Sequence, residues 1–292
     1  MKKWIIFIAS AALISCEKNI DFKLKDAVSV LVVDAQIENG QPPTVALSKS
    51  LSFFSAISTE ILANSFVHDA EVSMSNGTVT HKLREYSVPL GNGYFLYYYG
   101  IDSSNLATAF VGEFSKQYNL TVKVDGKDYA AKTTIPALTK VFDSLWTKRA
   151  PPNIDTIKRV LMGRVFDPPG LGNYVRYFTK KNRGRFLPGF NSVFNDEVVD
   201  GTTYQGQVDQ GIDRNNTLPT GDEKFFARGD TISFKLSNID KATYNFWNTW
   251  EFNQQSIGNP FSQPGKVLGN ISNGALGAFC GYASQVGTII AR

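Results

Sequence analysis

Two histidines, His68 and His81, two cysteines, Cys16 and Cys280, and 26 acidic side chains are what this 292-residue sequence offers for chemistry. That is too few nitrogen and sulfur ligands for a zinc cluster. A serine hydrolase of the elbow type needs Gly-x-Ser-x-Gly, and a P-loop needs a Gly-rich run ending in Gly-Lys-Ser/Thr; neither occurs. Paired carboxylates remain the one enzymatic option, because glycoside hydrolysis asks only for two acids at the right separation. Asp196 and Glu197 are the densest pair. Adjacent side chains of a strand point to opposite faces, so these two are expected in a solvated loop without a shared site.

Asp209, Asp213, Asn215, Asn216, Asp222 and Glu223 supply the oxygen ligands that Ca²⁺ prefers. Counted from Asp213, however, position six is Leu218 where an EF-hand has Gly, and position twelve is Lys224 where it has Glu. A plain loop of Asx turns is the expectation, with no metal and no cofactor. Cys280, between Phe279 and Gly281, reads as a small buried hydrophobe, since both histidines lie in the other half of the chain. Lys180, Lys181, Arg183 and Arg185 cluster around Gly184 as a basic hairpin tip that could meet lipid phosphates or an acidic surface. Phe53, Phe54, Phe225 and Phe226 form two doublets near loops, where one ring of each pair must face outward on a strand. The tip and the doublets are the candidate partner contacts.

The elements that must position these groups begin after a targeting segment. Lys2 and Lys3 precede an apolar stretch from Trp4 to Leu13, and Leu13-Ile14-Ser15-Cys16 is similar to a bacterial lipobox. Residues 1–15 therefore read as a lipoprotein signal peptide, with Cys16 acylated and bound to a lipid bilayer. The apolar part is far shorter than the roughly 20 residues needed to span a membrane, so the expected anchor is lipid. Cleavage would leave 28 basic against 26 acidic residues, a balance that gives no argument for nucleic acid.

Residues 16–27 read as a charged tether. From Val28 onward the hydrophobic period becomes two: Val28, Val30 and Val32 alternate, then Ala70, Val72 and Met74 before Asn76-Gly77, then Val79, His81 and Leu83. Asn-Gly predicts a two-residue type I′ turn, and the same device recurs at Asp125-Gly126 between Tyr118–Val124 and Tyr129–Ile135. Tyr94–Tyr99 is apolar on both faces and is expected as a central, buried strand. Residues 28–136 thus predict an immunoglobulin-like or transthyretin-like β-sandwich. Residues 137–292 predict a second mainly β domain, a sandwich or open barrel, with strands at 156–166, 174–180, 197–207 and 231–236. Ser237 and Asp240 have the spacing of a helix start signal, and 242–255 lacks Gly and Pro, so one helix is expected near 238–255.

The lipobox and tether followed by Leu31-Val32-Val33-Asp34 and Ile37 resemble the opening of the Bacteroidota outer-membrane lipoproteins grouped as domain of unknown function 4249. Phe166-Asp167-Pro168 with Asn173-Tyr174, Asp196-Glu197, and Asn259-Pro260-Phe261 with Asn270, Ile271, Asn273, Gly274, Gly277 and Phe279 resemble that family's recurrent stretches. Ala35 stands where glycine is expected. The resemblance implies an outer-membrane lipoprotein, cell-surface or periplasmic, that is a non-enzymatic accessory of a TonB-dependent receptor in nutrient capture. The alternatives are an independent glycan- or peptide-binding lipoprotein and a carboxylate-dependent hydrolase. Asp143-Ser144-Leu145, Asp155-Thr156-Ile157 and Asp230-Thr231-Ile232 resemble the O-glycosylation acceptor pattern of exported proteins of that phylum.

Overall fold

The computed structural model describes residues 29–51, 58–151, 157–214, 216, 224–256 and 265–292. The lipobox with Cys16, the doublet Phe53-Phe54, Asp155-Thr156, Asn215, Asp222 and Glu223, and Asn259-Pro260-Phe261 lie outside these residues. The alternating stretches become β1 (Leu31–Glu38), β2 (Thr44–Lys49), β3 (Glu71–Ser75), β4 (Thr80–Gly91), β5 (Tyr94–Ile101), β6 (Lys116–Val124) and β7 (Lys127–Ile135), with a short helix α1 (Thr59–Ala63) between β2 and β3. The second half supplies β8 (Val141–Arg149), β9 (Lys158–Phe166), β10 (Tyr174–Lys181), β11 (Leu187–Phe194), β12 (Thr203–Val208), β13 (Phe226–Ala227) and β14 (Thr231–Ile239). Helix α2 (Lys241–Ser256) and β15 (Leu276–Ile290) complete it. The fold is mainly β and sandwich-like, as the alternation predicts.

Eleven strands form one sheet in the order β11-β10-β14-β15-β1-β2-β5-β4-β3-β6-β7, and β8, β9, β12 and β13 form the second. The large sheet runs without a break across residue 136, because β15 pairs in parallel with β1 over Val32–Glu38. It curls so that β7 faces β15. Between these layers Val33, Ala35, Ile37, Met74, Tyr118, Leu120 and Phe279 are buried as one core. A second core lies between β9 and the β10-β14-β15 part of the sheet, built on Leu161, Val175, Phe226, Ile232 and Phe234. Gly277 makes the parallel pairing possible. Its φ is +92°, and a Cβ there would stand 2.0 Å from the Val33 carbonyl oxygen, where no side chain fits.

Four local expectations are corrected. The Asp125-Gly126 turn forms as a two-residue connection, both φ angles being positive and Val124 pairing with Lys127. The Asn76-Gly77 turn does not: Ser75 pairs with Thr80, leaving four residues, and only Gly77 has positive φ. The Asn76 side chain instead accepts hydrogen bonds from Thr78 N and Val79 N, at 3.0 Å each, an Asx-type turn that competes with the tighter one. The expected strand over 197–207 begins only at Thr203, after a turn in which Val199 N donates to Asp196 O and Thr202 N to Val199 O.

The helix starts at Lys241 because Asp240 caps it, its Oδ1 accepting from Thr243 N at 2.8 Å. Ser237 remains in β14, hydroxyl to hydroxyl with Ser284 at 2.7 Å.

The fourth correction concerns β5. Only Tyr99 of this strand pairs with β2, through Val45. The segment 65–67 takes the next places on β2, with Lys49 N donating to Ser65 O and Val67 N to Leu47 O. Beyond Tyr99 the β4–β5 hairpin therefore peels away as a two-stranded ribbon. Phe95 and Leu96 stay exposed although the sequence there is apolar on both faces.

Candidate functional site

The second sandwich is open along one side. β11 is the edge of the large sheet and β12 the edge of the small one, and between them a cavity of about 370 Å³ enters the interlayer space. Its walls are aromatic and aliphatic: Tyr177, Phe190, Phe194, Tyr204, Phe234 and Leu236 lead the lining, with Asp209 and Gln207 at the polar rim. The periodicity of β12 sets this arrangement, because Tyr204, Gly206 and Val208 share one face and all three line the cavity. Gly206 and Gly163, paired across β12 and β9, leave the floor without side chains. Concave, apolar space with few polar groups is the usual form of a small-molecule site.

The chain closes one end of this opening when it crosses from β12 to the β11 edge. Gly211 N donates to Thr179 Oγ1 at 2.6 Å and Ile212 N to Pro188 O at 2.9 Å. Arg214 then reaches over the rim, donating to the Gly189 and Phe190 carbonyls at 3.0 and 2.8 Å, and pairs with Glu251 of α2 at 3.3 Å. Beside it an adjoining hollow is lined by Phe190, Gln210, Lys224 and Phe225. There Gln210 Oε1 is buried with no hydrogen-bond partner.

Tyr204 divides the cavity from a buried charged cluster. Burial first, and the Asp167 charge second, push its hydroxyl up to about 12. The Lys140 ammonium sits 5.6 Å from the Tyr204 ring centroid and 2.9 Å from Asp167 Oδ1, both side chains being fully buried. The approach is close, yet its angles leave neither group with a well-directed hydrogen bond. Asp167, Asp196 and Asp200 bring carboxylate oxygens within 4.8 Å of one another. Asp196 is held by backbone: its Oδ2 accepts from Gly172 N and Asn173 N, both at 2.8 Å. Burial alone would raise its pKa, but the amides of Asn173 and Gly172 outweigh burial and hold the carboxyl below its ordinary value.

The residues singled out in the sequence are dispersed. Glu197 is exposed while its neighbour Asp196 is buried; the pair lies in the turn after β11 and not on a strand, and Asp196 is not solvated. At the basic tip Arg185 pairs with Asp213 at 2.5 Å and Lys181 with Asp230 at 3.4 Å. Lys180 lies over the Phe186 ring at 5.0 Å. Much of that charge is engaged within the chain. Phe225 lines the hollow beside the cavity and Phe226 is core. Asp209 is at the cavity rim.

Cys280 is fully buried and its thiol is pushed up to about 12 by burial. His81 is buried, its Nε2 accepting from Asp102 N at 3.0 Å and its Nδ1 2.9 Å from Thr108 Oγ1. Burial lowers its pKa, and both nitrogens serve structure. His68 is exposed, with Nδ1 2.5 Å from Glu85 Oε1. The cavity and the Lys140 cluster were beyond sequence reasoning. Their residues are ordinary, and they meet only through pairing of distant strands.

Among the described residues no helix is long and apolar enough to cross a membrane. The family model described as Domain of unknown function (DUF4249) matches residues 17–288. No curated protein matches the chain.

Proposed function

Because the chain belongs to the DUF4249 family, we propose that it is a non-enzymatic binding lipoprotein of the outer membrane, held there by acylated Cys16. It acts as an accessory of a TonB-dependent receptor in nutrient capture. The observation that carries binding is the cavity between β11 and β12: preformed, apolar and rimmed by one carboxylate and amides, it suits holding a small ligand. The membrane location and the receptor rest on the lipobox and on the family resemblance. The test is a pull-down of the tagged, acylated protein from native membranes in mild detergent. Recovery of a receptor barrel is expected, and its repeated absence removes the receptor role.

A second reading is an independent glycan- or peptide-binding lipoprotein. The aromatic walls of the same cavity, Tyr177, Phe190, Phe194 and Tyr204, support it. Ligand binding by the purified chain, with affinity unchanged when receptor is added, would favour it over the accessory role.

A further inference from the structure

The β4–β5 ribbon is apolar on both faces and leaves the body at the end where the tether enters. Val88 pairs with Leu96 on one face and Pro89 with Phe95 on the other. Val88, Leu90, Phe95 and Leu96 are 45%, 54%, 39% and 38% exposed. Helix α1 lies against β5 and adds Ile61 and Leu62, also exposed. A soluble surface rarely gathers large apolar side chains this way unless they meet something.

The strand register says where the ribbon points. β1 starts at Leu31 opposite Lys49, the end of β2, and Ser29 Oγ donates to Ser50 O at 3.0 Å. β5 runs antiparallel to β2 through Val45 and Tyr99, so its Tyr94 end extends toward that same end of the sheet. The twelve residues 17–28 separate Ser29 from Cys16 and span at most about 40 Å. A lipid on Cys16 therefore holds Ser29, at this end of the body, within about 40 Å of the bilayer.

We infer that the ribbon tip and α1 form a second, non-covalent membrane contact: Leu90, Phe95 and Leu96 enter the headgroup region of the bilayer that carries the acyl chains. The inference rests on acylation of Cys16 as proposed above. Apolar side chains buried to about 5–10 Å are how monotopic proteins lie on a membrane, and Tyr94, Tyr97 and Tyr98 are a residue type favoured at that depth. The two contacts together would set the orientation of the body, which a single point of attachment does not define.

The test uses the full acylated protein in phosphatidylcholine vesicles, labelled with an environment-sensitive fluorophore at L96C or, as control, at Q41C in the β1–β2 loop at the opposite end of β1. Buried Cys280 and acylated Cys16 keep labelling selective. A blue shift and quenching by spin-labelled phospholipid are expected at position 96 and absent at 41, with the quenching reduced at least threefold by L90S. Equal water exposure at both positions, with the acyl mass present on the intact protein, overturns the inference and leaves the anchor standing. A missing acyl mass fails the anchor itself and the inference with it. A blue shift without vesicles that grows with protein concentration assigns the ribbon to a second copy of the chain, which also overturns it.

Discussion

The guanidinium carbon of Arg176 lies 3.4 Å from the centroid of the Trp247 ring. This contact ties helix α2 to β10, the strand next to the β11 edge of the large sheet. Arg176 is buried, donates from Nε to Ser192 Oγ at 3.0 Å and from Nη1 to Tyr282 Oη at 3.2 Å, and Trp247 Nε1 donates to the same hydroxyl at 2.9 Å. Ser192 in turn meets Glu251 of α2 through its amide and hydroxyl. The planar, delocalised cation of arginine serves stacking and directed hydrogen bonding at once, which an ammonium cannot. Arg176→Lys is expected to lose about 1–3 kcal/mol in urea unfolding, and Arg176→Met a similar amount or more. Unchanged stability in the lysine variant would remove the stacking account.

The buried Lys140–Asp167 pair gives a second test. Removing one partner leaves an uncompensated charge beside Asp196 and Asp200. Lys140→Met is therefore expected to cost about 3–5 kcal/mol, whereas the double change Lys140→Met/Asp167→Leu recovers much of it. Denaturant midpoints of the two variants decide it. A double variant no better than the single would mean that the pair's charges are not what matters.

Acid stability follows from Asp196. Its folded-state pKa lies below the ordinary value of 3.8, so its contribution is fully present above the unfolded-state pKa and is lost as pH falls through the lower folded value. Asp230, also lowered, loses to burial less than it gains from Ala227 N, Asn182 and Lys181. Melting temperature should thus fall steeply below about pH 4, and Asp196→Asn should flatten that limb while lowering the plateau at pH 7. An unaltered acid limb would contradict the assignment.

Occupying the cavity is a direct check on its role. A Cβ at Gly206 meets nothing within 4 Å, and the position faces the space between Tyr204 and Val208. Gly206→Leu is expected to keep or slightly raise the melting temperature and to weaken uptake of an apolar fluorescent dye at least tenfold. Dye binding equal to that of the parent chain would place the apolar site elsewhere.

The β1–β15 junction has no room for change. Gly277→Ala would force a Cβ against the Val33 carbonyl at a positive φ that L residues rarely adopt. A loss of at least about 3 kcal/mol or failure to fold is expected. Gly274→Ala, also at positive φ but with open space around it, should cost about 1 kcal/mol. Equal effects of the two would show that the close approach to Val33 is not the constraint.

Local rules determined a good deal on their own. Alternating side chains around Asp125-Gly126 define β6, β7 and their turn, because a two-residue loop with two positive φ angles needs nothing from the rest of the chain. The Gly- and Pro-free stretch after Asp240 likewise carries helix α2, its start shifted only by which acceptor reaches Thr243 N. The tertiary structure decided what depends on distant partners. β15, interrupted by Gly277, Gly281 and Gly287, runs on as one fifteen-residue strand because β1 and β14 flank it. Asp196 is buried and Glu197 exposed because backbone amides of 172 and 173 are delivered to one and not the other. Tyr94–Tyr98 has the composition of a core strand, yet segment 65–67 claims its place on β2 and leaves Phe95 and Leu96 exposed. Period and turn chemistry are properties of a few consecutive residues; who occupies a strand edge is settled only when the whole chain competes for it.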